Sequence, residues 1–333
     1  MSRIAGFRID PYALALTRPW RTAAGTVRLR HGWLVRVEDE DGCFGLGDEP
    51  ASLPDQVTEG QGARLESLAA ATLGQSPDVA LTESLGYGIG IETALLDLIA
   101  RRRGQSLRHL LAPEAADFVN VNGIGPIESV VAIAEQGFRI VKIKVGLAPW
   151  RDEAAALCRL SLPPGLMLRL DSNRAWSFRE AEGFLSAVSG LPIDSLEEPL
   201  RAPDIDQLAM LQARTEISLA IDESLESLGI SSLLARRPVR RLVLKPALLG
   251  GLRWTQSLAA KARDAGYDIV VTSFLDSAVG VAAAAHLAAA VDAESRMAHG
   301  LATSDAFADD VAKPLRIVAG KLSFNEDAGL GML

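Results

Sequence analysis

From about residue 117 onward the chain repeats one unit, a short apolar, β-branched run followed by a helix-length stretch. The strand-like runs are 118–123, 139–145, 166–171, 194–199, 217–222, 240–246, 268–273 and 296–300. Parallel strands need long crossovers, and a helix between each pair supplies them. The fold class expected is therefore α/β, a (β/α) barrel spanning residues 116–311. Residues 1–115 follow another rhythm and predict a separate α+β unit. "GWLVRVEDEDGCFGLGDEP" reads as two strands around a turn at Glu40-Asp41-Gly42. In 88–104, Ile91, Leu95, Leu98 and Ile99 share a helix face and Gly104 ends it. The tail, about 312–333, reads as a strand pair expected to return to the N-terminal sheet.

Composition excludes several classes. A net charge of -8 over 333 residues argues against a nucleic-acid surface. The apolar run 277–291 is too short to span a membrane and contains His286, so a buried helix is expected. The start, "MSRIAGFRID", has no signal-peptide core. Only two cysteines occur, Cys43 and Cys158, both among apolar neighbours. They are expected to be packing residues in a cytoplasmic protein.

Side chains alternate across a strand. In "RIVKIKV", Val141, Ile143 and Val145 take one face, and Lys142 and Lys144 take the other. Leu166, Leu168 and Leu170 likewise oppose Arg169 and Asp171. The next strands end in Glu197-Glu198, Asp222-Glu223 and Lys245. In (β/α) barrels these C-terminal ends carry the active site. One charged strand end is usually a solvated charge or an ion pair. Charge on the same face of five strands predicts a shared cavity holding lysines and carboxylates from neighbouring strands. An all-oxygen set suits Mg²⁺, with Mn²⁺ as a substitute. A lysine buried beside a second ammonium is tuned for proton transfer. The expected substrate is a small-molecule carboxylate that loses its α-proton, leaving an enediolate. A lysine on strand six also suits a Schiff-base aldolase, although the clustered carboxylates would then be unexplained. A binding protein on an enzyme scaffold is the remaining alternative.

"VKIKVG", "RLDSNRAWS", "LEEPL", "IDESL" and "LVLKPALLGGL" resemble, in order, the barrel motifs of the enolase superfamily. The likeness is to its muconate-cycloisomerase-like subgroup and runs over nearly the whole chain. It implies a modified TIM barrel and makes residues 1–115 a capping domain. "LRLDSNRAWSF" and "AHGLAT" are similar to the subgroup's o-succinylbenzoate synthases. The activity implied is Mg²⁺-dependent syn dehydration of 2-succinyl-6-hydroxy-2,4-cyclohexadiene-1-carboxylate, in menaquinone or phylloquinone biosynthesis. An N-succinylamino acid racemase, or a related epimerase or cycloisomerase, is the alternative. By this resemblance Asp171, Glu197 and Asp222 bind the metal. Lys144 takes and returns the proton. Lys245 stabilises the enediolate from the opposite face, and Lys142 remains charged, lowers the Lys144 pKa and contacts the substrate carboxylate. Asn173 and Arg169 support the metal site, Ser273 and Gly300 grip the substrate, and 21–25 and 51–54 form capping loops. Asp48, Asp276 and Ala302 depart from the family pattern.

Overall fold

Three antiparallel strands open the chain, β1 (Ile4–Thr22), β2 (Gly25–Asp39) and β3 (Phe44–Pro50), in the order β1-β2-β3. The computed structural model describes residues 2–22, 25–52, 60–83 and 88–332. The apolar face of this sheet, with Trp33, Val35 and Val37, packs on Ile91, Leu95 and Leu98 of the Ile89–Arg102 helix. That helix is buried nearly all round, so its polar residues need partners. Glu92 accepts the backbone N–H groups of Leu252 and Arg253, at the start of the Leu252–Asp264 helix. Asp97 accepts those of Leu46 and Leu330, at 2.8 and 2.7 Å. Two buried carboxylates thus join the N-terminal unit to the barrel and to the tail.

The barrel strands are β4 (Phe118–Val121) with β5 (Gly123–Ile124), β6 (Ile140–Lys144), β7 (Met167–Asp171), β8 (Ile193–Glu197), β9 (Ser218–Ile221), β10 (Arg241–Leu244), β11 (Asp268–Val271) and β12 (Ala298–His299). Seven form a parallel sheet in the order β11-β10-β9-β8-β7-β6-β5. Asn122 divides the first strand, so that β5 pairs with β6 while β4 pairs with β12. The ring closes between β11 and β12 through a Thr272–Gly300 bridge and a bond from the Val271 N–H to His299 Nδ1 at 3.0 Å. The imidazole there takes the place of a backbone acceptor.

The apolar outer faces of the strands and the surrounding helices form one large core. The Ala278–Val291 helix is buried along its whole length, as its composition requires. No helix among the described residues is long and apolar enough to cross a membrane.

Two expectations need correction. The tail strands β13 (Ile317–Val318) and β14 (Lys321–Ser323) do form a pair, but β14 pairs with β4 of the barrel, not with the N-terminal sheet. The β4 edge opposite β12 is free there because β6 pairs with β5, beyond Asn122, and not with β4. The tail beyond β14 reaches the N-terminal helices, where the Leu107 N–H donates to the Gly329 carbonyl at 2.8 Å and Arg108 lies over the Phe324 ring. Cys43 is half-buried as a packing thiol would be, but Cys158, at the end of the Trp150–Cys158 helix, is exposed. Apolar neighbours in sequence lie on other faces of that helix.

Candidate active site

Strand alternation decides what enters the barrel. On β6, Val141, Ile143 and Val145 join the outer core. Lys142 turns inward, and its Nζ lies 2.9 Å from Asp171 Oδ2 and 2.9 Å from both Glu197 carboxylate oxygens. Burial alone would lower the pKa of this ammonium. The nearby Asp171, Glu197 and Asp222 carboxylates outweigh burial and hold it well above the ordinary lysine value.

Lys144 lies in a different field. Its Nζ donates to Asn173 Oδ1 at 2.9 Å, with no carboxylate among the described residues in direct contact. Burial pulls its pKa below the usual lysine value, the Lys142 ammonium pulls the same way, and Asp171 opposes both. Two lysines on one strand face thus lie in opposite fields, one stabilising the charged form and the other disfavouring it. Lys245, the residue after β10, forms an ion pair with Asp222. Burial opposes its charge, but Asp222 and Glu197 raise its pKa.

The carboxylate oxygens of Glu197, Asp222 and Glu223 come within 4.8 Å of one another. Glu197 and Asp222 are buried and Glu223 is half-buried. The expected set was Asp171, Glu197 and Asp222. Asp171 instead joins the trio through the shared Lys142, and Glu223 enters it. Both Asp222 and Glu223 lie past the end of β9, where strand alternation no longer holds, so neighbouring residues face the same way. The donors are all oxygen, without nitrogen or sulfur, and they fit a hard divalent cation.

Asn173 connects the parts. Besides accepting from Lys144, it donates through Nδ2 to Glu223 at 3.3 Å, and its N–H donates to Asp171 Oδ1 at 3.1 Å. Asn173, Arg174 and Glu198 all have positive φ, at 42°, 61° and 48°. Such backbone persists only when its surroundings hold it, and it clusters at working sites.

Glu198 is the residue whose task the sequence reading missed. It is fully buried. Its Oε1 accepts the N–H groups of Asp222 and Ser224, each at 2.8 Å, and its Oε2 accepts the Ser224 hydroxyl at 2.6 Å. Burial pushes its carboxyl up to about 7. The one available signal was the doubled acid of "LEEPL". Alternation sends one acid into the barrel, and the other can then hold the next strand end.

Arg169 requires a correction. It does not touch the acidic cluster but lies one layer below Asp171. It bonds Asp194 Oδ2 at 2.9 Å, Asn122 Oδ1 at 3.0 Å and the Ala298 carbonyl at 2.8 Å. Arg241 pairs with the same aspartate. The register between β7 and β8 skips Asp194, which lets it turn inward between two guanidinium groups. A register shift of this kind is invisible in the sequence.

Ser273 and Gly300 meet at the β11–β12 seam. Gly300 accepts the Ser273 N–H at 3.1 Å, and Ser273 Oγ lies 2.8 Å from Thr303 Oγ1. A side chain at Gly300 would place Cβ 2.3 Å from Thr272 Oγ1, so closure of the seam already requires glycine. Residues 23–24 and 53–54 of the expected capping loops lie outside the described residues.

Residues 127–332 match the enolase C-terminal domain-like family. The chain belongs to the enolase superfamily. An o-succinylbenzoate synthase of Proteus mirabilis is 32% identical over 271 residues, covering 79% of both chains. The L-Ala-D/L-Glu epimerase of Bacillus subtilis is 29% identical over 304 residues, covering 83% of this chain and 82% of its own. The fold is similar to that of muconate lactonizing enzyme from Pseudomonas fluorescens in complex with muconolactone. The TM-score is 0.88 at 23% identity, over 100% of this chain and 96% of that one. The barrel and its cap are thus an enolase-superfamily enzyme scaffold. These relatives bear the names of a synthase, an epimerase and a lactonizing enzyme, so likeness alone leaves the substrate open within the superfamily.

Proposed function

We propose that the protein removes water from 2-succinyl-6-hydroxy-2,4-cyclohexadiene-1-carboxylate to give o-succinylbenzoate, in the cytoplasm, as a step of menaquinone or phylloquinone biosynthesis. The observation that carries this reading is the divergence of Lys142 and Lys144 beside a cluster of carboxylates, with Lys245 on another strand. Relatives named o-succinylbenzoate synthase support the choice of substrate.

In this mechanism neutral Lys144 takes the proton from the carbon that bears the carboxylate. The C–H electrons move into the carboxylate and give an enediolate. The resulting Lys144 ammonium then returns a proton to the departing hydroxyl on the same face. The C–O bond breaks, water leaves, the ring becomes aromatic, and Lys144 is neutral again. Lys142 remains protonated and keeps the Lys144 pKa low. Lys245 faces the opposite side as a fixed cation over the flat conjugated system. Asn173 orients Lys144. Bound Mg²⁺, held by Asp171, Glu197 and Asp222 with Glu223 alongside, would supply positive charge for the enediolate oxygens. Ser273 and Gly300 are assigned to the succinyl arm.

Lysines on two strands also suit proton transfer on both faces of one carbon, so racemisation of N-succinylamino acids is the second reading. The deciding experiment incubates the protein with the cyclohexadiene carboxylate and, separately, with N-succinylamino acids in D₂O, with EDTA and then with Mg²⁺. Appearance of o-succinylbenzoate only with Mg²⁺ supports dehydration. Deuterium incorporation and racemisation of the amino acids without dehydration would replace the first reading by the second.

A further inference from the structure

Two side chains of the N-terminal sheet reach across to the loop that follows β11, and a third, Tyr12, steadies one of them. Asp48 accepts the Ser277 N–H through Oδ2 at 3.0 Å and the Tyr12 hydroxyl through Oδ1 at 2.6 Å. Arg30 is fully buried between the two units. It donates from Nε to the Leu275 carbonyl at 3.0 Å and from Nη1 to the Ala51 carbonyl at 2.9 Å. Its guanidinium carbon lies 5.0 Å over the Phe274 ring. Asp276 closes the loop on itself by accepting the Phe274 N–H at 3.0 Å. The two acids meet over Gly280, where a Cβ would lie 2.5 Å from Asp48 Oδ2 and 2.6 Å from Asp276 Cβ.

The barrel seam holds the loop at Ser273, and the cap holds it at Leu275 and Ser277. Leu275 has φ of 53°, a conformation that a residue with a side chain keeps only under outside constraint. Nor is the joint optimised for stability alone. Arg30 Nη2 and Asp276 Oδ1 are buried without a hydrogen-bond partner among the described residues. A purely structural joint would pair such atoms or replace them with apolar groups. The loop also borders the active site. It begins with Ser273, and the Thr272 N–H just before it donates at 3.0 Å to the carbonyl of Leu244, the neighbour of Lys245.

We infer that Tyr12, Arg30 and Asp48 are positioning residues: the capping sheet clamps the 273–277 loop and thereby sets Ser273 against the substrate. The inference rests on the reaction proposed above, and it assigns substrate fit to the body of the cap as well as to its loops. It differs from a general stabilising role because it affects binding more than turnover.

The test uses Tyr12→Phe, which removes one donor and keeps the ring, and Asp48→Asn, which keeps the shape and weakens the pair of accepted bonds. With the cyclohexadiene carboxylate, KM rises roughly tenfold in each, the scale of one buried hydrogen bond, while kcat stays near wild type. Wild-type KM in both variants overturns the inference, and so does a fall in kcat at unchanged KM. Amide hydrogen exchange supplies a second readout that needs no activity. In Asp48→Asn the Leu275–Ser277 amides exchange about tenfold faster, and those of β3 do not change. A wild type inert toward both compound classes fails the reaction reading, and the exchange data still decide the clamp. Unchanged protection at Ser277 in Asp48→Asn overturns it.

Discussion

Replacing Lys142 with methionine separates its role from that of Lys144. The Lys142 ammonium is 2.9 Å from Asp171 and 2.9 Å from Glu197, on a side chain only 17% exposed. Methionine fills much of the same volume but leaves two buried carboxylates facing each other. Removing one partner of a buried ion pair costs about 3–5 kcal/mol. At a urea m-value of about 3 kcal/mol per M, the unfolding midpoint falls by roughly 1–1.7 M in EDTA. Mg²⁺ at a hundred times its Kd stabilises a protein by about 2.7 kcal/mol, and the variant gains more than wild type at equal Mg²⁺ because no ammonium competes for its carboxylates. The assay is urea unfolding, followed by circular dichroism, of both proteins in EDTA and in excess Mg²⁺. The gap between variant and wild type should narrow when Mg²⁺ is added. Lys144 supplies a second readout. The Lys142 charge helps lower its pKa, so the residual α-proton exchange of the variant should switch on at higher pH than in wild type. A midpoint within about 0.2 M of wild type in EDTA would refute the ion-pair reasoning. An unshifted pH profile would refute the tuning.

Lys144→Ala should cut α-proton exchange into D₂O by about 10³-fold or more, with unchanged circular dichroism; near-normal exchange would remove it as the base. Glu198→Ala leaves two N–H groups and a hydroxyl without acceptors, at about 1–3 kcal/mol each, and should weaken Mg²⁺ binding in calorimetric titration. Glu198→Gln keeps the acceptor geometry and should cost far less, so equal losses in the two variants would count against the positioning role. Glu49 accepts the Gly90 N–H at 2.7 Å, and burial raises its carboxyl from 4.5 to about 7. A raised carboxyl contributes stability that is complete below pH 4.5 and lost as pH rises through about 7. Glu49→Gln escapes that loss, so at pH 8 it should be more stable than wild type by up to about 3 kcal/mol, and roughly equal at pH 4. Matching urea midpoints at pH 8 would contradict the burial argument.

Much of the architecture was legible because it follows from local rules. Strand length, helix length and their alternation are written residue by residue, so the barrel could be read from spacing. Period-two alternation put Lys142, Lys144 and Asp171 on the inner face, and it holds wherever the strand is regular. Alternation failed at strand ends and register shifts. Past β9 it could not tell that Glu223 joins Asp222, and at β8 it could not tell that Asp194 turns inward to hold Arg169. The tail read correctly as a pair of strands, but its partner was decided by which sheet edge lay free.

The sequence by itself determined that charged groups would line the mouth of a parallel barrel. It could not determine how those charges divide. Lys142 and Lys144 are the same residue type on the same face of one strand, yet Lys142 touches two carboxylates and Lys144 touches an amide. The distance to a neighbouring carboxylate sets whether burial or attraction dominates, and in a buried site a few ångströms reverse the sign of the shift. Only the folded chain sets that distance, because each carboxylate arrives from a different strand. The grip of Tyr12, Arg30 and Asp48 on the 273–277 loop has the same origin: its partners lie more than 200 residues apart and meet only when the cap closes on the barrel.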